Sequence, residues 1–183
     1  MMQKILIGLI ATIGSFVALI LLQPSEYRVT RTTTMSAPAP DIFAQIDDFH
    51  RWQAWSPWAQ RDPAAKASFD GPASGKGAVF AWSGNNEVGE GRMTLTDSRP
   101  GELVKIRTDF VKPFVGTSYS DFTLKPEGSS TSVSWSMFGE NDFIGKAMCL
   151  FISMDKVLGG EMDKGLASIK QLVEAGTKKP AQN

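Results

Sequence analysis

Thr131-Ser132-Val133-Ser134-Trp135-Ser136-Met137 alternates polar with large apolar side chains, and past Asn141 that two-residue beat gives way to a helical one. From Asn141 to Gly176 the apolar positions Val157, Leu158, Met162, Leu166, Ile169, Leu172 and Val173 recur at spacings of three and four. Alternate strand residues face opposite sides of a sheet, whereas residues three and four apart share one side of a helix. The chain therefore ends as a half-buried strand followed by a long amphipathic helix. Gly159-Gly160 is expected to kink that helix, and Gly176 to end it before the polar tail, residues 177–183.

Upstream of this switch the same alternation marks Gly77–Trp82, Gly91–Thr96, Leu103–Phe110 and Ser118–Leu124. Legible turns join these segments: Gly84-Asn85-Asn86 can supply positive φ, Pro100-Gly101 suits a type II bend, and Pro126-Glu127-Gly128 closes another. Tyr27–Thr34, rich in β-branched residues, reads as an earlier strand. Between it and the meander, Ile42–Ile46 is a short helix opened by Pro40 or Asp41, and Phe49–Trp58 contains a second that stops before Pro57. The expected fold is α+β: a curved antiparallel sheet of six to seven strands wrapped on a long C-terminal helix, with two short helices after the first strand.

Residues 5–22 carry no charge. As a helix, eighteen residues span about 27 Å, close to a ~30 Å hydrocarbon core. The run is longer than a signal peptide's apolar region and lacks the small residues of a cleavage site, so residues 1–24 are read as an uncleaved membrane anchor. Lys4 favours a cytoplasmic N-terminus, with the domain outside a bacterial-type inner membrane, although Arg28 and Arg31 pull the other way. Residues 25–176 form the single soluble domain.

The charges balance, with 19 Lys+Arg and 19 Asp+Glu. Such a domain lacks the basic excess that phosphate backbones demand, so no nucleic acid is expected as partner. One cysteine and one histidine supply neither an internal disulfide nor a metal-ligand cluster, and no Gly-rich phosphate loop is present; no cofactor and no metal are expected.

Six or seven strands are wider than one helix of ~10 Å diameter covers, so the leftover space is either packed or left as a cavity. The side chains available to line it are Trp52, Trp55, Phe80, Trp82, Met93, Phe110, Phe122, Trp135 and Met137. Apolar lining of this kind suits a ligand pocket, although the same residues also make ordinary cores. The i, i+3 pair Trp52 and Trp55, with Trp58, reads as a lid packed against the sheet.

The element order and several motifs resemble the START-like helix-grip (SRPBCC) superfamily, in particular its polyketide cyclase/dehydratase-like branch. The motifs include Arg31–Phe43, Ile46–Trp58, Gly75–Asn85, Val88–Thr94, Thr131–Met137 and Glu161–Lys170. The likeness runs from residue 27 to residue 175. It implies binding of lipids or other apolar molecules beneath the long helix, with cyclisation or dehydration in some members, and it carries over no catalytic residue because those reactions share no motif.

Candidate chemistry is sparse. His50 is a general base if a partner stands beside it, but no Ser, Cys or carboxylate is evident there, so a polar residue opening a short helix is the preferred reading. Asp47 and Asp48 form a possible carboxylate pair but are expected to be solvated. Glu87, Glu90, Arg92, Arg107 and Asp109 are expected to face outward, as is Tyr119. Three functions follow: a membrane-anchored holder of a small hydrophobic or amphipathic ligand, a cyclase or dehydratase using the same cavity, and a membrane-tethered interaction module. Neither ligand identity nor oligomeric state is written in the chain.

Overall fold

The computed structural model describes residues 2–177. The element order is α1 (Met2–Leu21), β1 (Glu26–Met35), α2 (Ala39–Ile46), a 3-10 helix (Phe49–Ala54), β2 (Lys66–Asp70), β3 (Val79–Ser83), β4 (Glu90–Arg99), β5 (Leu103–Lys112), β6 (Gly116–Glu127), β7 (Ser130–Glu140), α3 (Phe143–Cys149) and α4 (Met154–Thr177). Seven antiparallel strands form one sheet in the order β1-β7-β6-β5-β4-β3-β2. The meander from β2 to β7 is built of sequence neighbours, and β1 returns to pair with β7 along ten residues, Glu26↔Glu140 to Met35↔Thr131.

Alternation explains which face is which. On β7, Thr131, Val133, Trp135 and Gly139 are buried, and on β6 so are Ser118, Ser120, Phe122 and Leu124. The intervening residues face the convex side, where Thr30 and Ser136 hydroxyls lie 2.8 Å apart and Thr32 and Ser134 hydroxyls 2.9 Å apart. α4 lies across the concave side with Met162, Leu166, Ile169 and Val173 inward.

Several sequence expectations need correction. β2 was not among the strands read from the sequence, because all five of its residues are exposed and it forms the sheet edge. The segment before Pro57 is a 3-10 helix rather than an α-helix. At three residues per turn it stacks i and i+3, bringing the Trp52 and Trp55 rings to 4.5 Å. α4 passes through Gly159-Gly160 without a break, and the helical stretch divides earlier, at residues 150–153. Gly159 has a different purpose: a Cβ there would collide with the Arg31 guanidinium. In the β3–β4 turn the positive φ falls at Gly89, not at Gly84-Asn85-Asn86. Gly101 and Gly128 do take positive φ in the turns expected of them. Of the tail, residues 178–183 lie outside the described residues.

α1 is long and apolar enough to cross a membrane, with mean hydropathy 2.3, a property that signal sequences share. Within it the Thr12 and Ser15 hydroxyls donate to the Gly8 and Ala11 carbonyls, so neither is left unpaired in an apolar medium. Its end is tied to the sheet: the Asn141 amide donates to the Ser25 carbonyl at 2.8 Å, and its side-chain nitrogen to the Pro24 carbonyl at 3.1 Å.

Candidate functional site

The concave face divides into two ends. Its middle and far end are packed solid. Trp55, Phe122 and Trp135 are at most 1% exposed. Phe122 stacks on Trp135 at 4.7 Å, and Trp55 meets both edge-on at 6.3 and 6.0 Å. Edge-to-face and offset contacts at these distances are the favoured aromatic geometries. The 3-10 helix thus plugs the width that α4 leaves open. Its indoles are also anchored, since Trp52 Nε1 donates to the Ile46 carbonyl and Trp55 Nε1 to the Gln45 carbonyl. The buried Trp135 Nε1 has no acceptor.

The other end, beside the exit of α1, has a different texture. Trp82, Met93, Phe110 and Met137 are only half-buried there, and Phe80, also half-buried, reaches back to Phe49 of the 3-10 helix at 6.2 Å. Met154 and Leu158, on the first turns of α4, are likewise half-buried against the hydrophobic core. Register aligns the floor across the strands: Trp82 opposite Gly91, Gly91 opposite Phe110, Met93 opposite Thr108, and Ser118 opposite Gly139. Small residues make space for large ones. A Cβ at Gly91 would come within 2.5 Å of the Trp82 ring, and one at Gly139 within 3.0 Å of the Tyr27 ring. The floor also carries the buried hydroxyls of Thr108, Ser118 and Ser120. Sequence reasoning passed over Tyr27 as a site residue, although its two-residue spacing from Val29 already placed it on the inward face. Burial pushes its phenol above the ordinary tyrosine range, an effect that the neighbouring Ser118 side chain partly offsets.

The nine sequence candidates therefore fall into two groups: Trp52, Trp55, Phe122 and Trp135 in the packed core, and Phe80, Trp82, Met93, Phe110 and Met137 at the looser end. Two cavities lie elsewhere. One, of about 270 Å³, is bounded by Phe49, His50, Phe69 and Val79, and the other, of about 450 Å³, is a groove between α2 and the end of α4.

α4 is clamped over the site by charge. Arg31 leaves β1 through the gap at Gly159 and donates to Asp155 at 2.8 and 3.0 Å and to Asp163 at 3.2 Å. Its hydrogen bonds hold the Asp155 carboxyl below the usual carboxylate range. Farther along, burial would raise the Glu161 carboxyl, but Lys164 and Arg61 hold it low instead.

Several other polar candidates have partners within the protein. His50 does have a carboxylate beside it, Asp48 Oδ1 at 2.9 Å, which also accepts the His50 amide as an N-cap. Its ring stacks on Phe69 at 4.0 Å. Asp47 is not solvated: it is buried and accepts the Ser98 hydroxyl at 2.6 Å, so the two aspartates point to different partners. Arg107 and Asp109 pair on the convex face, where Thr117 also donates to Asp109 and the carboxyl is held low mainly by the Arg107 hydrogen bond. Tyr119, also convex, stacks on Phe138, and Arg28 lies over the same ring. Among the described residues no group of His, Cys, Asp and Glu is placed to hold a metal.

Solved structures with the same fold include the Aha1 dimer from Colwellia psychrerythraea (14% identity, TM-score 0.59, covering 82% of this chain and 98% of that one). Two others are protein CV1439 from Chromobacterium violaceum (17%, 0.55, covering 82% and 98%) and Ms6760 from Mycobacterium smegmatis (15%, 0.56, covering 81% and 92%). At such identities they speak for the fold alone. No curated protein matches the sequence. A family model described as polyketide cyclase / dehydrase and lipid transport matches residues 26–174, from the first strand nearly to the end of α4. With the helix-grip architecture and a match over most of its length, the chain belongs to the polyketide cyclase/dehydrase and lipid transport family.

Proposed function

We propose that the domain, tethered by α1 as a single-pass anchor, holds a small hydrophobic or amphipathic molecule at the looser end of the concave face. The observation that carries this reading is the set of half-buried aromatic and methionine side chains on the inward face of the sheet. An apolar surface of this kind, with a few hydroxyls set in it, is the composition of a ligand site. Phe80, Trp82, Met93, Phe110 and Met137 touch the ligand, and Trp52, Trp55, Phe122 and Trp135 form the rigid wall behind it. Methionine suits such a contact because its unbranched, polarizable chain adapts to differently shaped guests. The Ser and Thr hydroxyls set in the floor orient the guest's polar end.

Native mass spectrometry of the full chain released from nanodiscs tests this. A bound apolar molecule at one per chain is expected, and it is lost in Met93→Trp, which fills the space while circular dichroism stays unchanged. Absence of any adduct across a panel of fatty acids and phospholipids overturns the reading.

A second reading rests on Tyr27, a half-buried phenol on the same floor. A cyclase or dehydratase needs a group that donates a proton to a carbonyl, and a neutral phenol can do so. Conversion of a polyketide-like substrate that vanishes in Tyr27→Phe, with ligand binding retained, would establish the enzyme over the carrier.

A further inference from the structure

We infer that the anchor end of the domain rests in the interfacial layer of the bilayer that α1 crosses, on an apolar rim formed by α3, the loop after it and the β5–β6 turn. This rests on the reading of α1 as a membrane anchor.

Large apolar side chains are concentrated at this end. Phe114 and Val115 in the β5–β6 turn are 61% and 83% exposed, and Phe143, Ile144, Phe151 and Ile152 in and after α3 are 51%, 54%, 78% and 42% exposed. Single exposed apolar residues are ordinary, but contiguous ones mark a contact surface. Elsewhere on the domain the exposed large apolar residues are Phe69, Tyr119, Val157 and Leu172, each on its own in the sequence.

Topology places the two segments at the same edge. Glu26 pairs with Glu140, and Ser118 with Gly139, so the start of β1, the end of β7 and the turn before Ser118 lie together. α3 follows β7 directly and packs against α1, whose buried residue is Ile20 in its last turn.

The occupant follows from distance. Leu22, the last residue of the apolar run, is three residues from Ser25, which is hydrogen-bonded into the sheet. Three residues span at most about 10 Å. A headgroup layer is roughly 5–7 Å deep on each side of the hydrocarbon, so a rim this close to the anchor's exit reaches the boundary of the acyl chains. Charges at this end have both signs, Lys112 and Lys146 against Glu140 and Asp142, so apolar insertion rather than attraction to anionic lipid holds the face down. Phe110 lies opposite Gly116 at the same edge, and the ligand floor therefore opens toward the bilayer. A lipid would then pass between membrane and domain without crossing bulk water.

The test uses the full chain in nanodiscs of phosphatidylcholine and phosphatidylglycerol (3:1). In a Cys149→Ser background, single cysteines Val115→Cys, Phe151→Cys, Val17→Cys and Leu172→Cys carry a fluorophore, which is challenged with nitroxide-bearing lipid and with aqueous iodide. Lipid quenching at 115, 151 and 17 but not at 172, unchanged between 50 and 300 mM salt, is the expected result. Quenching at 17 with iodide access at 115 and 151 overturns the docking and leaves the anchor standing. Loss of lipid quenching at 17 removes the anchor itself, and the docking with it. Shielding of 115 and 151 from both quenchers assigns the rim to a protein partner or a second copy and also overturns the inference. As a further check, Phe114→Ser with Phe151→Ser is expected to abolish lipid quenching at 115 while leaving the thermal midpoint within a few degrees.

Discussion

The same five strands, β3 to β7, supply both ends of the concave face, yet one end is a stack of interlocked rings and the other a half-covered floor. At the packed end Trp135, Phe122 and Trp55 meet face and edge, with the 3-10 helix as a second cover beside α4. At the end nearest α1, Met93 and Met137 are only half-buried, and glycines alternate with large side chains on the floor. The difference shows that sheet width alone does not leave a cavity. A short insertion rich in tryptophan fills half of it, and whatever room remains lies where no insertion reaches.

The contrast is most easily broken at its packed end. Trp135→Ala or Phe122→Ala removes a fully buried ring from a rigid wall, with an expected loss of ~3–5 kcal/mol in denaturant unfolding followed by far-UV circular dichroism. Phe110→Ala, at the half-covered end, should cost less than about half as much because the site is already partly hydrated. Equal losses at the two positions would erase the distinction.

A smaller effect is expected at the polar tie between α2 and β4. Asp47→Ala leaves the Ser98 hydroxyl without its buried acceptor, at about 1–3 kcal/mol in the same measurement. A neutral outcome would mean that water reaches this junction.

Ligand retention sharpens the comparison from the other side. Phe110→Ala should weaken binding of a fluorescent fatty acid roughly tenfold, about 1.4 kcal/mol, with a smaller drop in thermal midpoint than Trp135→Ala. Leu124→Ala, deep in the packed end, should do the reverse: a lowered midpoint and unaltered affinity.

The smallest effects are in pH. The folded Asp155 carboxyl titrates below its unfolded value, so its contribution is present above an unfolded pKa of about 3.9 and lost as pH falls through the lower folded value. Asp155→Asn should flatten the acid limb of the stability curve. Tyr27 has the opposite sense: its raised folded pKa gives stability that is full below pH ~10 and declines as pH rises through the folded value. A phenol absorbing as phenolate at its ordinary pH would show that Tyr27 is solvated and not part of the floor.

Much of the fold was legible because strand and helix differ in period. The inward and outward sets on β5, β6 and β7 follow from alternation alone, which is why Arg107, Asp109 and Tyr119 were correctly assigned to the outer face. β2 was not legible, because five exposed residues at a sheet edge carry no apolar signal. Gly159-Gly160 was misread for a related reason. A glycine in a helix looks like a weakness until the partner strand is known, and here it admits Arg31. The carboxylate beside His50 lay two residues away, but only the cap geometry of the 3-10 helix turns the Asp48 side chain back onto the ring.

By itself, then, the sequence determined which residues are strand and helix, which side of each is apolar, and that an eighteen-residue uncharged run precedes the domain. Those properties are local, set by side-chain chemistry and backbone period. Only the tertiary structure decided which apolar residues are sealed against one another, which stay half-open, and that the β5–β6 turn, α3 and the end of α1 share one edge. Burial and adjacency depend on strand register and on which elements cover the sheet, and segments far apart in the chain settle both together.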